Sequence, residues 1–509
     1  MKTNKFMIYA FSALMLSSIA ACSDDSNPVS GGDYTWGTEG TMQTCNQLLF
    51  NDNGNENANG TVIGNGIQEF VFKGTQTLKK GTYVMKGWIY IANGSTLTIE
   101  PGTIIKGDKG TKAALIVEPG GKLIAEGTKT APIVMTSNQP KGQRKPGDWG
   151  GLIICGNAKN NNGVLNQQIE GGPRTKHGGT NDEDNSGIFR YIRVEFAGNP
   201  FKTNEEINGI TFGSVGSGTQ VDHLQVSYSN DDSYEWFGGS VNCKYLVAYN
   251  GWDDEFDTDN GFSGKVQYCL SIRDPRIADQ SQSNGFESDN CGDGAMVSPY
   301  TTAVFSNVTF IGPVGRDNFQ NSLDYITAGS YKPDNSASLG KYQSAIQIRR
   351  SSHLSCFNSV AVGYPIGLIV DGEKGNTVAY AKEGNLKLQN IWFAGMGVTG
   401  TDANKKYEDQ LLLADGSYDT SKESYSSTFF KAQKGNKVLT NANELNFKDG
   451  RHIGVNYMPN AGSPVLTAAS FEDALLTSGF DKVDYIGAFG ADDNWLEGWT
   501  NFDPNNTDY

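Results

Sequence analysis

Short β-rich runs separated by glycine turns recur along this chain, and no helical periodicity fills the spaces between them. Leu97-Thr98-Ile99 is followed by Glu100-Pro101-Gly102 and then Thr103-Ile104-Ile105. Eighteen residues further on, Ala114-Leu115-Ile116-Val117 is followed by Glu118-Pro119-Gly120-Gly121 and Lys122-Leu123-Ile124. A repeat of about 20 residues, with no helix long enough for a βαβ crossover, predicts a β-solenoid. One coil cannot bury its Val, Ile and Leu alone. Stacked coils can, and each strand then pairs its backbone with the coils above and below. Later rungs are expected at 221–226, 241–248, 266–272, 304–310, 345–348 and 354–362, with Val221, Leu224, Val226, Val304, Val308 and Phe310 inward. About 12 coils at roughly 4.8 Å each predict a rod of about 60 Å.

The first 21 residues read as a targeting segment rather than as structure. Lys2 and Lys5 precede an apolar run that is too short to span a bilayer comfortably. It ends in Ile19-Ala20-Ala21-Cys22, which matches a bacterial lipobox and predicts a diacylglycerol on Cys22. Ser23-Asp24-Asp25 resembles the sorting signals of some Gram-negative lipoproteins and favours display on the outer membrane. Residues 22–60 read as a lipidated, flexible tether rich in Ser, Asp, Asn and Gly. The remaining cysteines, at 45, 155, 243, 269, 291 and 356, contain no CxxC pair; Cys269 and Cys356 read as small buried hydrophobes.

The net charge is −15, and loss of residues 1–21 removes two lysines and no acid, leaving −17. Such a surface repels nucleic acid, which is excluded as a partner. Much of the charge sits in aligned loops. Asp231-Asp232-Ser233-Tyr234-Glu235-Trp236 precedes one rung, Asp253-Asp254-Glu255-Phe256-Asp257-Thr258-Asp259 the next, and Phe286-Glu287 lies one coil on. Aligning Tyr234, Phe256 and Phe286 puts Glu235, Asp257 and Glu287 in register, about 5 Å apart in a solenoid. Stacked carboxylates must bind a cation, share protons or splay into solvent. Oxygen-only clusters suit Ca²⁺, so Asp231, Asp232, Glu235, Asp253, Asp254, Asp257, Asp259 and Glu287 are candidate ligands. Asp182, Asp184 and Ser186 alternate like the start of a calcium loop and form a second candidate. The competing reading is a solvated edge with Asp and Asn capping turns.

Catalytic signatures are scarce. His177, His223, His353 and His452 form no HExxH, and there is no GxSxG elbow. Lys265, Arg273, Arg349 or Arg350 can supply a base for lyase chemistry, but nothing selects among them.

The runs LTIEPGTIIKG and LIVEPGGKLIAEGTKTAPIVMTS resemble the opening coils of bacterial surface proteins with right-handed parallel β-helix repeats, a fold shared with pectate lyases. The phrases GDWGGLIICGNA, SGIFRYIRVEFAG and YIGAFGADDNWLEGWTNFDP resemble one group of lipoproteins within it. The resemblance implies an all-β, right-handed parallel β-helix over 61–395, with a C-terminal capping segment at 396–509. In that segment Ser470 should cap a short helix with Asp473 as its capping-box acid, and Trp495 and Trp499 should pack on the rod. The expected function is a membrane-anchored surface lipoprotein that binds a glycan or an outer-membrane protein partner. Trp236, Phe237 and Trp252 are the expected contact aromatics, with Ca²⁺ as a structural ion. The rivals are a calcium-dependent polysaccharide lyase or glycoside hydrolase, and a structural envelope protein.

Overall fold

A computed structural model describes residues 42–202, 205–316, 318–335, 337–402, 423–449 and 454–509. The segment 1–21, Cys22 and the expected tether up to residue 41 lie outside them, as does His452. The rest of the expected tether is part of the rod: Met42–Cys45 pairs with Glu69–Phe72, and Leu48, Leu49 and Phe50 enter the core, because these apolar residues find a coil to stack on.

The strands sort into two long sheets, one of twelve strands from Met42–Cys45 to Val398–Gly400 and one of sixteen. Trp88–Ile91, Ala114–Val117, Leu152–Cys155, Ile210–Val215, Tyr234–Gly239 and Phe256–Asp259 are successive neighbours in the first sheet. Apart from Leu49–Phe50 against Val62–Ile63, the ladders of both sheets are parallel. This is a right-handed parallel β-helix, and only two α-helices interrupt it among the described residues. The two EPG turns use glycine where φ is +79° and +83°, at Gly102 and Gly120.

Alternate residues of the first sheet enter one continuous core: Ile89, Leu115, Leu152, Ile210, Tyr234, Phe256, Phe286 and Ile346 stack in register. The long strands of the second sheet break that alternation. Tyr191, His223, Tyr245, Tyr268, Asn307, Asn358 and Asn390 occupy a left-handed conformation, with φ between +49° and +62°. Each adds a corner in mid-strand, so inward positions fall on both sides of it at uneven spacing. Val221, Cys243, Val266 and Phe305 therefore form one inward column. Val304, expected inside, lies one position out of step and packs outside with Phe357 and Leu476. The other five named positions point inward.

The helix Tyr425–Ala432 packs at the C-terminal end of the core, where Phe430 stacks on Phe393 at 3.9 Å. Beyond it, the chain from 456 to 509 runs along the outer face of the second sheet. Side-chain amides hold it there by imitating a neighbouring strand. Gln225 Nε2 donates to Asn501 O (2.7 Å) and its Oε1 accepts from Asn501 N–H (2.8 Å). Gln267 does the same with Asp481, and Asn358 with Ser470. Trp495 and Trp499 are buried against Tyr191, His223 and Tyr245, so they pack on the rod. The local helix is a 3-10 turn, Ala474–Leu476, capped by Asp473 itself and not by Ser470. The six described cysteines form no disulfide; five are buried and Cys291 is half-buried.

Candidate functional site

Three neighbouring strands of the first sheet, Tyr234–Gly239, Phe256–Asp259 and Phe286–Ser288, carry the acidic motifs. Tyr234, Phe256 and Phe286 stack inside the core at 5.6 and 5.7 Å and lock the register. By strand alternation the next residues face out, and Glu235, Asp257 and Glu287 do align coil on coil.

That outer face is covered. Segments of the loops on either side of the second-sheet strand Gly187–Glu195 lie across it, and Ile169 and Ile207 from them join Ile116, Ile153, Cys155 and Phe237 in a second apolar cluster. His177 of the covering hairpin seats on Gly213, where an added Cβ would meet its ring at 2.8 Å. Asn208 donates its amide to Glu235.

The covering loops and the alternation correct the expected ligand-binding aromatics. Trp236 points into the core between Phe212 and Phe262, at 5.5 and 5.4 Å. Phe237 lies under the cover, and Trp252 sits in a satellite cluster with Phe196, Tyr228 and Ile277. Their exposures are 0, 4 and 0%, so none can meet a ligand.

The acidic residues divide by partner. Carboxylate oxygens of Asp232, Glu235 and Asp257 lie within 4.8 Å of one another, as do those of Asp231, Asp232 and Asp253. Burial first, and neighbouring acids second, push the carboxyls of Asp231, Asp232, Glu235 and Asp257 well above their ordinary range. Asp254 is shifted likewise, but it serves the fold. Asp232 Oδ1 accepts from Asp254 N–H (2.8 Å), Asp254 accepts from Asn284 N–H, and Asn284 Oδ1 accepts from Ser344 N–H (3.0 Å). This is a turn-capping ladder that ties each coil to the next. Asp259 accepts from the N–H of Asn260. Glu287 pairs with Arg349, which also bonds Asp289 at 2.9 Å.

The second expected calcium loop is engaged elsewhere. Asp182 pairs with Lys159 at 2.6 Å, and Asp184 accepts from the backbone N–H of Asn157 at 3.0 Å. Ser186 is buried, with its N–H on Thr219. Among the described residues, neither carboxylate belongs to a converging group.

The possible bases are engaged too. Arg273 forms a fully buried pair with Glu255 at 3.0 Å, Arg349 and Arg350 bond Asp289, and Lys265 lies on the other sheet, bonded to Ser478. Sequence reasoning missed Glu170, Glu206 and Asp279, whose charges bear on the cluster from separate loops. Asp279, half-buried beside Asp253, has its pKa pushed up to about 7 by desolvation first and by the Asp253 charge second. Asn208 was missed as well, since no pattern marks it.

A separate cavity of about 690 Å³ opens between the turns at Gly312, Gly363 and Gly395 and the hairpin Phe447–Asp449 with Asn456–Pro459. Asn441, Asn443, Asn446 and Asn456 line it with Phe447 and Val455.

The family model described as a pectate-lyase like beta helix domain matches residues 71–446. No curated protein and no solved structure matches the chain.

Proposed function

The chain belongs to the pectate-lyase-like β-helix domain family, and on that premise we propose that it is a lipid-anchored surface protein that holds a polysaccharide without cutting it. The fold fits a polysaccharide-binding or polysaccharide-degrading role. The observation that favours holding over cutting is the state of the bases: Arg273, Arg349 and Arg350 are spent on buried acids. A guanidinium bound in this way cannot take a proton from a sugar carbon. The anchor is the lipid on Cys22, supported by the Ile19-Ala20-Ala21-Cys22 motif. Calcium in the acidic cluster stiffens the rod.

With the three aromatics buried, the ligand falls to the asparagine-lined cavity. Amides supply both donors and acceptors for sugar hydroxyls, and the half-buried Phe447 supplies an apolar face. The volume of about 690 Å³ lies within the range of small-ligand sites and suits a short stretch of neutral glycan. The test is a glycan array on the chain carrying Cys22→Ser, followed by titration of any hit against Asn443→Ala and Phe447→Ala. Each substitution should weaken binding about tenfold or more. Unchanged affinity in both would remove the cavity from the site.

A further inference from the structure

We infer that the acidic cluster of the first sheet holds two divalent cations, an inner one among Asp232, Glu235 and Asp257 and an outer one among Asp231, Asp232 and Asp253, with the carboxylate of Asp232 shared between them. This deepens the calcium reading above and rests on it only for the identity of the ion.

The three carboxylate oxygens of each group lie within 4.8 Å of one another, close enough to converge on one cation. The donors are all oxygens, and a site built of protein carboxylates and amides is the kind that calcium takes, whereas magnesium keeps most of its waters. The two groups share Asp232 because the repeat places Asp231-Asp232 and Asp253-Asp254 at the same point of successive coils. A carboxylate bridging two ions is a common arrangement in paired-metal sites.

Two unpartnered oxygens point to a ligand independently of the acid count. Asp257 is only 8% exposed, and its Oδ1 has no hydrogen-bond partner. Asn208 is 1% exposed; its amide nitrogen is held by Glu235, and the oxygen of that same amide has no partner. A buried carboxylate oxygen and a buried amide oxygen left unsatisfied are each costly in a folded protein unless a ligand takes them up. A calcium ion accepts both oxygen types, and it takes more of them than three carboxylates provide. Charge leads to the same conclusion. Neighbouring acids, and no Lys or Arg, dominate the electrostatic surroundings of Asp231, Asp232 and Glu235.

The two positions differ in exposure. Asp232, Glu235 and Asp257 are buried, while Asp231 and Asp253 are half-buried. The inner ion is therefore enclosed by protein oxygens, and the outer one keeps water and exchanges.

The experiment counts calcium on the whole chain carrying Cys22→Ser, by equilibrium dialysis and titration calorimetry after stripping with EGTA. Two ions per chain are expected, in a tight and a weak class separated by at least tenfold. Asp253→Asn should remove the weak class and keep the tight one. Asp257→Asn should weaken the tight class at least tenfold, and circular dichroism checks that each variant folds. Zero or one ion on the unsubstituted chain overturns the inference without recourse to any variant, and so does loss of both classes in folded Asp253→Asn. Glycan binding is measured on the same samples. Its failure with two ions bound refutes the glycan proposal alone, and its survival with fewer than two ions refutes this inference alone.

Discussion

Burial of His177 gives the cover over the first sheet a contribution to stability that acid removes, and that ring sets its pH range. The ring is fully buried, with Nδ1 2.8 Å from Ser214 Oγ and no partner on Nε2. Burial pulls its pKa from 6.5 down to about 3. An opened cover takes up a proton near pH 6.5, while the closed cover takes one only near pH 3. The closed form thus has its full stability above pH 6.5 and loses it as the pH falls through that window. At about 1.4 kcal/mol per pH unit, the loss is about 3 kcal/mol at pH 4 and about 4 kcal/mol at pH 3, where the closed form begins to take up the proton as well. The raised carboxyls nearby act with the opposite sign, so the comparison must be made against a variant that keeps them. His177→Asn preserves a polar atom near Ser214 and removes the titration. Amide hydrogen exchange of Gln167–Gln168 and Lys176–His177, corrected for intrinsic rates between pH 7 and 4, reads the opening free energy. The native chain should lose about 3 kcal/mol more than the variant over that range. Parallel pH profiles, or an NMR titration of His177 near pH 6.5, would refute the reasoning.

Further outcomes follow from packing, pairing and anchoring. Phe256→Ala should cost about 3–5 kcal/mol in denaturant unfolding, because the ring is fully buried between Tyr234 and Phe286; a loss under about 1 kcal/mol would mean that the aromatic column does not hold the register. Arg349→Met strips Glu287 of its cation and Asp289 of one of two, and should cost about 3–5 kcal/mol in the same assay. Cys22→Ser should move the protein from the membrane to the soluble fraction, and sedimentation with membranes would refute a single lipid anchor.

The first sheet was legible because its strands obey a simple period of two. Tyr234, Phe256 and Phe286 share a place in the repeat, and their alignment alone puts Glu235, Asp257 and Glu287 in one column. The same rule places Trp236, two residues after Tyr234, inside the core; its acidic neighbours suggested a loop instead. The second sheet was less legible because its mid-strand corner carries no residue signature. Tyr, His and Asn all take the left-handed conformation there, and Val304 was misplaced by one residue for that reason. The cover was not legible at all. Asn208, Glu170 and Glu206 reach the cluster from segments that no repeat or spacing ties to it.

Whether a polysaccharide is held or cut is decided by following one sample through both readouts. The chain carrying Cys22→Ser, with calcium present, is incubated with each glycan that it retains on an array. Reducing ends and the ultraviolet absorbance of unsaturated sugars are then recorded over time. Saturable binding with neither signal rising above a protein-free control is the predicted result. Growth of either signal in proportion to protein concentration would contradict it and make the protein a hydrolase or a lyase.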